Sequence, residues 1–96
     1  MPKRVKDWNE GLAVRLKDKE YAREFILACL DEGIDLVDAL AKFVRSYGVV
    51  EYAQEVNMPK SNLFRVIRKN SNPTLKTLKK ILAPLDLDLG LLDKAS

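Results

Sequence analysis

The chain has no histidine, a single cysteine, and no Asp or Glu between positions 56 and 85. The missing histidine removes the commonest general base and the commonest metal ligand. Cys29 has no second cysteine to pair with inside the chain, and within the apolar run FILACL it reads as a small core residue. There is no cysteine cluster and no Gly-rich phosphate loop, so little is left from which to build catalysis. The expectation is a protein that is not an enzyme and carries no metal or cofactor. Asp31, Glu32, Asp35 and Asp38 could attract a divalent ion, but they read more simply as helix caps and surface residues. No apolar stretch reaches the roughly 18 residues needed to cross a bilayer. The basic start, MPKRVKDWNE, is followed by no apolar run, so it does not read as a secretory signal, and the cytoplasm is the expected location. Repeats and low-complexity linkers are also absent. A chain of 96 residues is then expected to form one domain with one modest core.

What is present is a strong division of charge. Residues 56–85 carry seven cations, Lys60, Arg65, Arg68, Lys69, Lys76, Lys79 and Lys80. The formal charge of +3 is therefore +7 in this window, −2 before it and −2 after it. A cationic face on a small domain attracts a polyanion and releases its counterions on binding, which makes DNA the first candidate partner. Residues 18–55 have the opposite balance, four cations against nine anions. That half can solvate the domain, form a dimer or meet a basic partner.

The hydrophobic pattern predicts an all-α fold. Asp7 and Glu10 have capping-box spacing before a short helix with Trp8, Leu12 and Leu16 on one face. Asp18 is placed to cap a helix over residues 19–32, whose stripe is Tyr21, Ala22, Phe25, Ile26, Cys29 and Leu30, and Gly33 to stop it. Asp35 precedes a helix over 36–47 with the stripe Leu36, Val37, Leu40, Phe43, Val44 and Tyr47, ended by Gly48. A short helix over 49–56 breaks at Asn57, a residue that tolerates the left-handed conformation. Pro59 suits the first turn of a helix reaching about position 69. KNSNP (69–73) is a loop by composition. Thr74 can cap a last helix whose buried stripe is Leu75, Leu78, Ile81 and Leu82, with Pro84 marking its end. The tail LDLDLGL (85–91) alternates apolar and acidic, which fits either a short strand or an irregular segment covering the core.

The segment GVVEYAQEVNMPKSNLFRVI (48–67) has the spacing of a helix-turn-helix. Such a motif needs a small residue where the second helix packs on the first, a flexible residue at the turn and apolar residues at fixed offsets. Ala53, Asn57, Leu63 and Val66 occupy these positions, and Val50 and Val56 supply the first helix's core contacts. The segment resembles the lambda-repressor/Cro class of DNA-binding domains. More narrowly, the chain resembles the probable addiction-module antidote proteins, the antitoxins of bacterial and prophage toxin–antitoxin operons. The resemblance rests on Leu16-Lys17-Asp18, on the following YAREFILACLDEG, on PKSNLFRVI (59–67) and on NPTLKTL (72–78). It implies a five- to six-helix fold with an N-terminal extension over 1–17, helices over 18–47, the motif over 48–69, and the last helix and tail over 74–96. It also implies a small basic toxin that cleaves messenger RNA on the ribosome, neutralised by an antidote that represses their shared operon. Three positions depart from the pattern. Asn57 stands where Gly is usual, Pro59 replaces a Ser cap, and Val49 occupies a position where related repressors often carry a phosphate-contacting Gln.

In a helix-turn-helix the second helix enters the major groove N-terminus first. Lys60, Ser61, Asn62 and Arg65 are then the candidates for base edges. Arg65 is foremost, because a guanidinium can bond both O6 and N7 of a guanine. Arg68, Lys69, Asn70, Asn72 and Thr74 are candidates for phosphates, which set register without reading sequence. Lys76, Lys79 and Lys80 are either further phosphate contacts or a solvated face. Phe64 either points to the groove edge or a dimer mate, or is partly buried against the last helix or loop. A homodimer on an inverted repeat is expected, since two half-sites multiply the binding free energy, and the apolar segment 85–92 is its candidate contact. The alternative reading is a protein-interaction module on the same fold that does not read DNA, supported by Val49 and Pro59.

Overall fold

The computed structural model describes residues 15–90. Five helices lie wholly within them: α1 (Lys19–Asp31), α2 (Leu36–Tyr47), α3 (Val49–Glu55), α4 (Lys60–Ile67) and α5 (Leu75–Leu82). A single 3-10 turn, Ala83–Leu85, follows α5. The expected capping box at Asp7 and Glu10, and the expected contacts of Trp8 and Leu12, lie outside the described residues. Leu16 lies inside them and is buried.

Local chemistry accounts for most of the boundaries. Asp18 caps α1, its carboxylate accepting from the backbone N–H of Glu20 at 3.0 Å and of Tyr21 at 3.5 Å. Such a cap is worth about 1 kcal/mol. At its other end α1 closes through Gly33 (φ 88). The Gly33 N–H donates to the Leu30 carbonyl, and the Ile34 N–H donates to the Cys29 carbonyl. That is the paired bonding of a left-handed helix stop. Asn57 (φ 55) stops α3 in the same way, with its own N–H on Gln54 and that of Met58 on Ala53. Asp86 (φ 56) repeats the device after the 3-10 turn. Asp35 stands at the N-cap of α2 but makes no side-chain capping bond. Pro59 is the N-cap of α4 rather than a first-turn residue, and α4 ends at Ile67, two residues short of the expected boundary.

The core collects Leu16; Ala22, Ile26 and Cys29 of α1; Ala39, Leu40, Ala41, Phe43 and Val44 of α2; Tyr52, Ala53 and Val56; Leu63, Val66 and Ile67 of α4; and Ile81, Leu82 and Leu85. Helix α2 is its centre, packing against α1, α3 and α4. Full burial of a Leu or Phe side chain contributes about 1.5–3 kcal/mol. Phe43 and Tyr52 meet edge-to-face at 4.8 Å, and Tyr47 closes the cluster at 5.1 Å from Tyr52. Each such aromatic pair adds roughly 0.5–1.5 kcal/mol.

Several expected core positions are corrected. Val50 is 45% exposed and Leu75 60% exposed. In α3 the buried line runs through Tyr52, Ala53 and Val56 with Val49 half-buried, a stripe at 3.6-residue spacing on which Val50 does not lie. In α5 only Ile81 and Leu82 are buried, both near its C-terminal end, so the first turn with Leu75 extends past the core. Tyr21 and Leu30 flank the buried face of α1 and are exposed. The tail forms no strand among the described residues. Leu85 closes the 3-10 turn in the core, and Leu87 and Leu89 pack partly against it. The irregular, core-covering alternative describes residues 85–90.

Candidate nucleic-acid interface

Helix α4 divides cleanly into two faces. Leu63, Val66 and Ile67 point into the core, while Lys60, Ser61, Asn62, Phe64 and Arg65 are exposed. The inward residues are held by the connection from α3. Ala53 is buried and Asn57 is left-handed, so the chain reverses within the four residues 56–59 and sets α4 against α3 and α2. Phe64 is 51% exposed, a half-covered position that fits both of its expected placements.

The loop after α4 continues the outward face. Arg68, Lys69, Asn70 and Asn72 are exposed, and Asn70 is left-handed (φ 63). Thr74 caps α5, its hydroxyl accepting from the Thr77 N–H at 3.2 Å and lying 2.9 Å from the Thr77 hydroxyl. Between α4 and this loop runs an open groove of about 570 Å³. It gathers Asn62 and Arg65, two of the base-edge candidates, with Arg68, Asn70, Asn72 and Thr74 of the phosphate candidates. Lys60, Ser61 and Lys69 are exposed beside it and do not line it. The groove's lining contains no carboxylate.

Among the described residues no acidic group lies within ion-pair distance of Lys60, Arg65, Arg68 or Lys69; the two ion pairs found there are Lys19–Glu55 at 3.5 Å and Lys79–Asp88 at 3.7 Å. Lys79 therefore faces a carboxylate of the tail, whereas the cations of α4 and its loop face none among the described residues. No three His, Cys, Asp or Glu residues among those described come together as a metal-binding group, Asp31, Glu32, Asp35 and Asp38 included. No described helix is long and apolar enough to cross a membrane. Cys29 is buried, and burial pushes its thiol pKa up against a smaller opposite pull from Lys42.

Residues that the sequence did not single out also shape this surface. Met58 and Thr77 line the groove, and Ser71 donates its hydroxyl to the Val66 carbonyl. Arg45, on α2, donates from Nη2 to the Ile67 carbonyl at 3.2 Å. Thr77 had a legible signal, its position three residues after a capping threonine. Arg45 had none, because its partner is 22 positions away.

A family model described as probable addiction module antidote protein matches residues 8–92. No curated protein and no solved structure matches the chain. With nearly the whole sequence covered by that model, the chain belongs to the probable addiction module antidote family.

Proposed function

We propose that this antidote is a sequence-specific DNA-binding regulator that represses its own operon and neutralises an RNA-cleaving toxin. In this reading α3, the turn at Asn57 and α4 form a helix-turn-helix of the lambda-repressor/Cro class. Lys60, Ser61, Asn62 and Arg65 reach base edges, and Arg68, Lys69, Asn70, Asn72 and Thr74 hold phosphates on either side of the groove. The observation that carries it is the outward face of α4. Its polar residues are exposed, its cations have no acidic partner among the described residues, and the adjoining loop extends the same charge. Unneutralised cations beside a groove without carboxylates suit a polyanion rather than an acidic or apolar small molecule.

The chain acts as a homodimer on an inverted repeat. Since Leu85 is buried in its own core, the tail's contribution to a dimer contact falls on the residues beyond it. The acidic half, residues 18–55, receives the toxin, a small basic protein.

The test is fluorescence anisotropy with a duplex from the chain's own promoter and a scrambled duplex of equal length, each at two salt concentrations. The promoter should bind more tightly, and both affinities should fall steeply with salt. Equal affinity for the two duplexes would remove the sequence-reading part. Two observations favour a protein-interaction module instead: Pro59 leaves α4 without a side-chain cap, and Phe64 stands exposed on the same helix. Toxin binding without promoter binding would be its signature.

A further inference from the structure

Helix α4 ends differently from α1 and α3. Those two close on left-handed residues, Gly33 and Asn57, whose neighbouring N–H groups satisfy the last carbonyls. The residue after α4, Arg68, is extended (φ −72, ψ 158), so no such local closure forms and the final carbonyls need donors from elsewhere. Two side chains supply them. Ser71 reaches back to Val66, and Arg45 reaches across from α2 to Ile67. The bond from Arg45 is charge-assisted and aimed at the negative end of the helix dipole. It adds a directional tie between the central helix of the core and the C-terminal end of α4, beside the packing of Val66 and Ile67.

We propose that Arg45 is a positioning residue for DNA reading, one that fixes the pitch of α4 against α2 without itself contacting a base. The inference rests on the reading of α4 as the recognition helix. Burial of Leu63, Val66 and Ile67 seats α4 in the core, but apolar packing is non-directional and leaves its inclination and rotation to be set by directional contacts. The bond to the Ile67 carbonyl supplies one such constraint on how Lys60 to Arg65 are presented. The outward donors then meet base edges at one fixed inclination, which bidentate contacts require.

The experiment compares the full chain with Arg45→Met, which keeps the aliphatic stem and loses the donors, and Arg45→Lys, which keeps charge and one donor direction. Ser71→Ala serves as an independent weakening of the same helix end should Arg45→Met fold poorly. Three quantities are read: amide hydrogen exchange along α4, the affinity ratio for promoter against scrambled duplex, and the salt dependence of binding. Arg45→Met should speed exchange in α4 and reduce the affinity ratio about tenfold, the size expected when one bidentate base contact is misaligned. Its salt slope should stay unchanged, and Arg45→Lys should recover part of the ratio. An unchanged ratio with faster exchange would make Arg45 a stabilising residue only and overturn the inference. Equal weakening on both duplexes with a salt slope smaller by about one would make it a phosphate contact and overturn it too. If the wild-type chain itself shows no promoter preference, the recognition reading fails, and this inference falls with it.

Discussion

The Tyr52 hydroxyl donates a 2.6 Å hydrogen bond to the backbone carbonyl of Ile81, entirely within the core. Tyr52 is on α3 and Ile81 is in the last turn of α5. The bond therefore ties the element preceding α4 to the helix that follows it. It also answers the requirement that a buried hydroxyl find a partner. The same logic recurs at Arg45 and Ile67, where a side chain from an earlier helix satisfies a carbonyl at the end of a later one.

Tyr52→Phe should cost about 1–3 kcal/mol, the penalty of leaving the Ile81 carbonyl buried and unpaired. Thermal unfolding followed by circular dichroism measures it. An unchanged Tm would mean that the bond contributes nothing net.

The same residue predicts a pH dependence. Burial pushes the Tyr52 hydroxyl well above its ordinary value, with smaller contributions from Tyr47 and Glu55. The unfolded hydroxyl ionises near its usual pKa of about 10, while the folded one keeps its proton to higher pH. The stabilisation is thus complete below about pH 10 and declines as pH rises above it. Tm measured from pH 8 to 11 should fall less steeply in Tyr52→Phe than in the wild type.

Gly48 both ends α2 and begins α3 at φ 116, and a Cβ there would strike the Glu51 carboxylate. Gly33 has φ 88 with open space around it. Gly33→Ala should cost about 1–2 kcal/mol from backbone strain alone. Gly48→Ala should cost more, about 2–3 kcal/mol, because φ 116 and ψ 117 lie well outside the left-handed helical region that a side chain can still adopt, while the Glu51 carboxylate can swing aside. Urea unfolding of the two variants gives the order, and a larger loss at Gly33 would contradict this account of the α2–α3 corner.

Arg65 and Lys69 should part company in DNA binding. Arg65→Ala is expected to lose about 1–3 kcal/mol and to relax preference at one base pair. Lys69→Ala should weaken every duplex alike and lower the salt slope by about one. Competition against a set of single-base operator variants separates the two. Matching profiles would mean that Arg65 is not reading a base.

Much of this was legible in the sequence because the signals are local. Gly33, Gly48 and Asn57 mark helix ends through backbone conformations that other residues resist. Asp18 and Thr74 announce caps that form. The exposure of Lys60, Ser61, Asn62 and Arg65 follows from the spacing of Leu63, Val66 and Ile67 on the opposite side of α4. What failed was the depth of burial. Val49 and Val50 look alike in a seven-residue helix, and only the 3.6-residue line through Tyr52, Ala53 and Val56 separates them. Leu75 sits in register with Leu78 and Leu82, yet its turn lies beyond the edge of the core, a property of assembly and not of spacing. The bonds Tyr52–Ile81 and Arg45–Ile67 span 29 and 22 positions. They pair side chains with backbone carbonyls, which carry no residue-type signature at all.

DNA binding, as proposed, falls on the outward face of α4 and its loop. Titrating the isotope-labelled chain with its promoter duplex and following amide chemical shifts by NMR tests it most directly. The account predicts shifts concentrated at residues 60–65 and 68–74, with little change along α1. Shifts confined to α1 and α2, or none at saturating duplex with the protein folded, would contradict it.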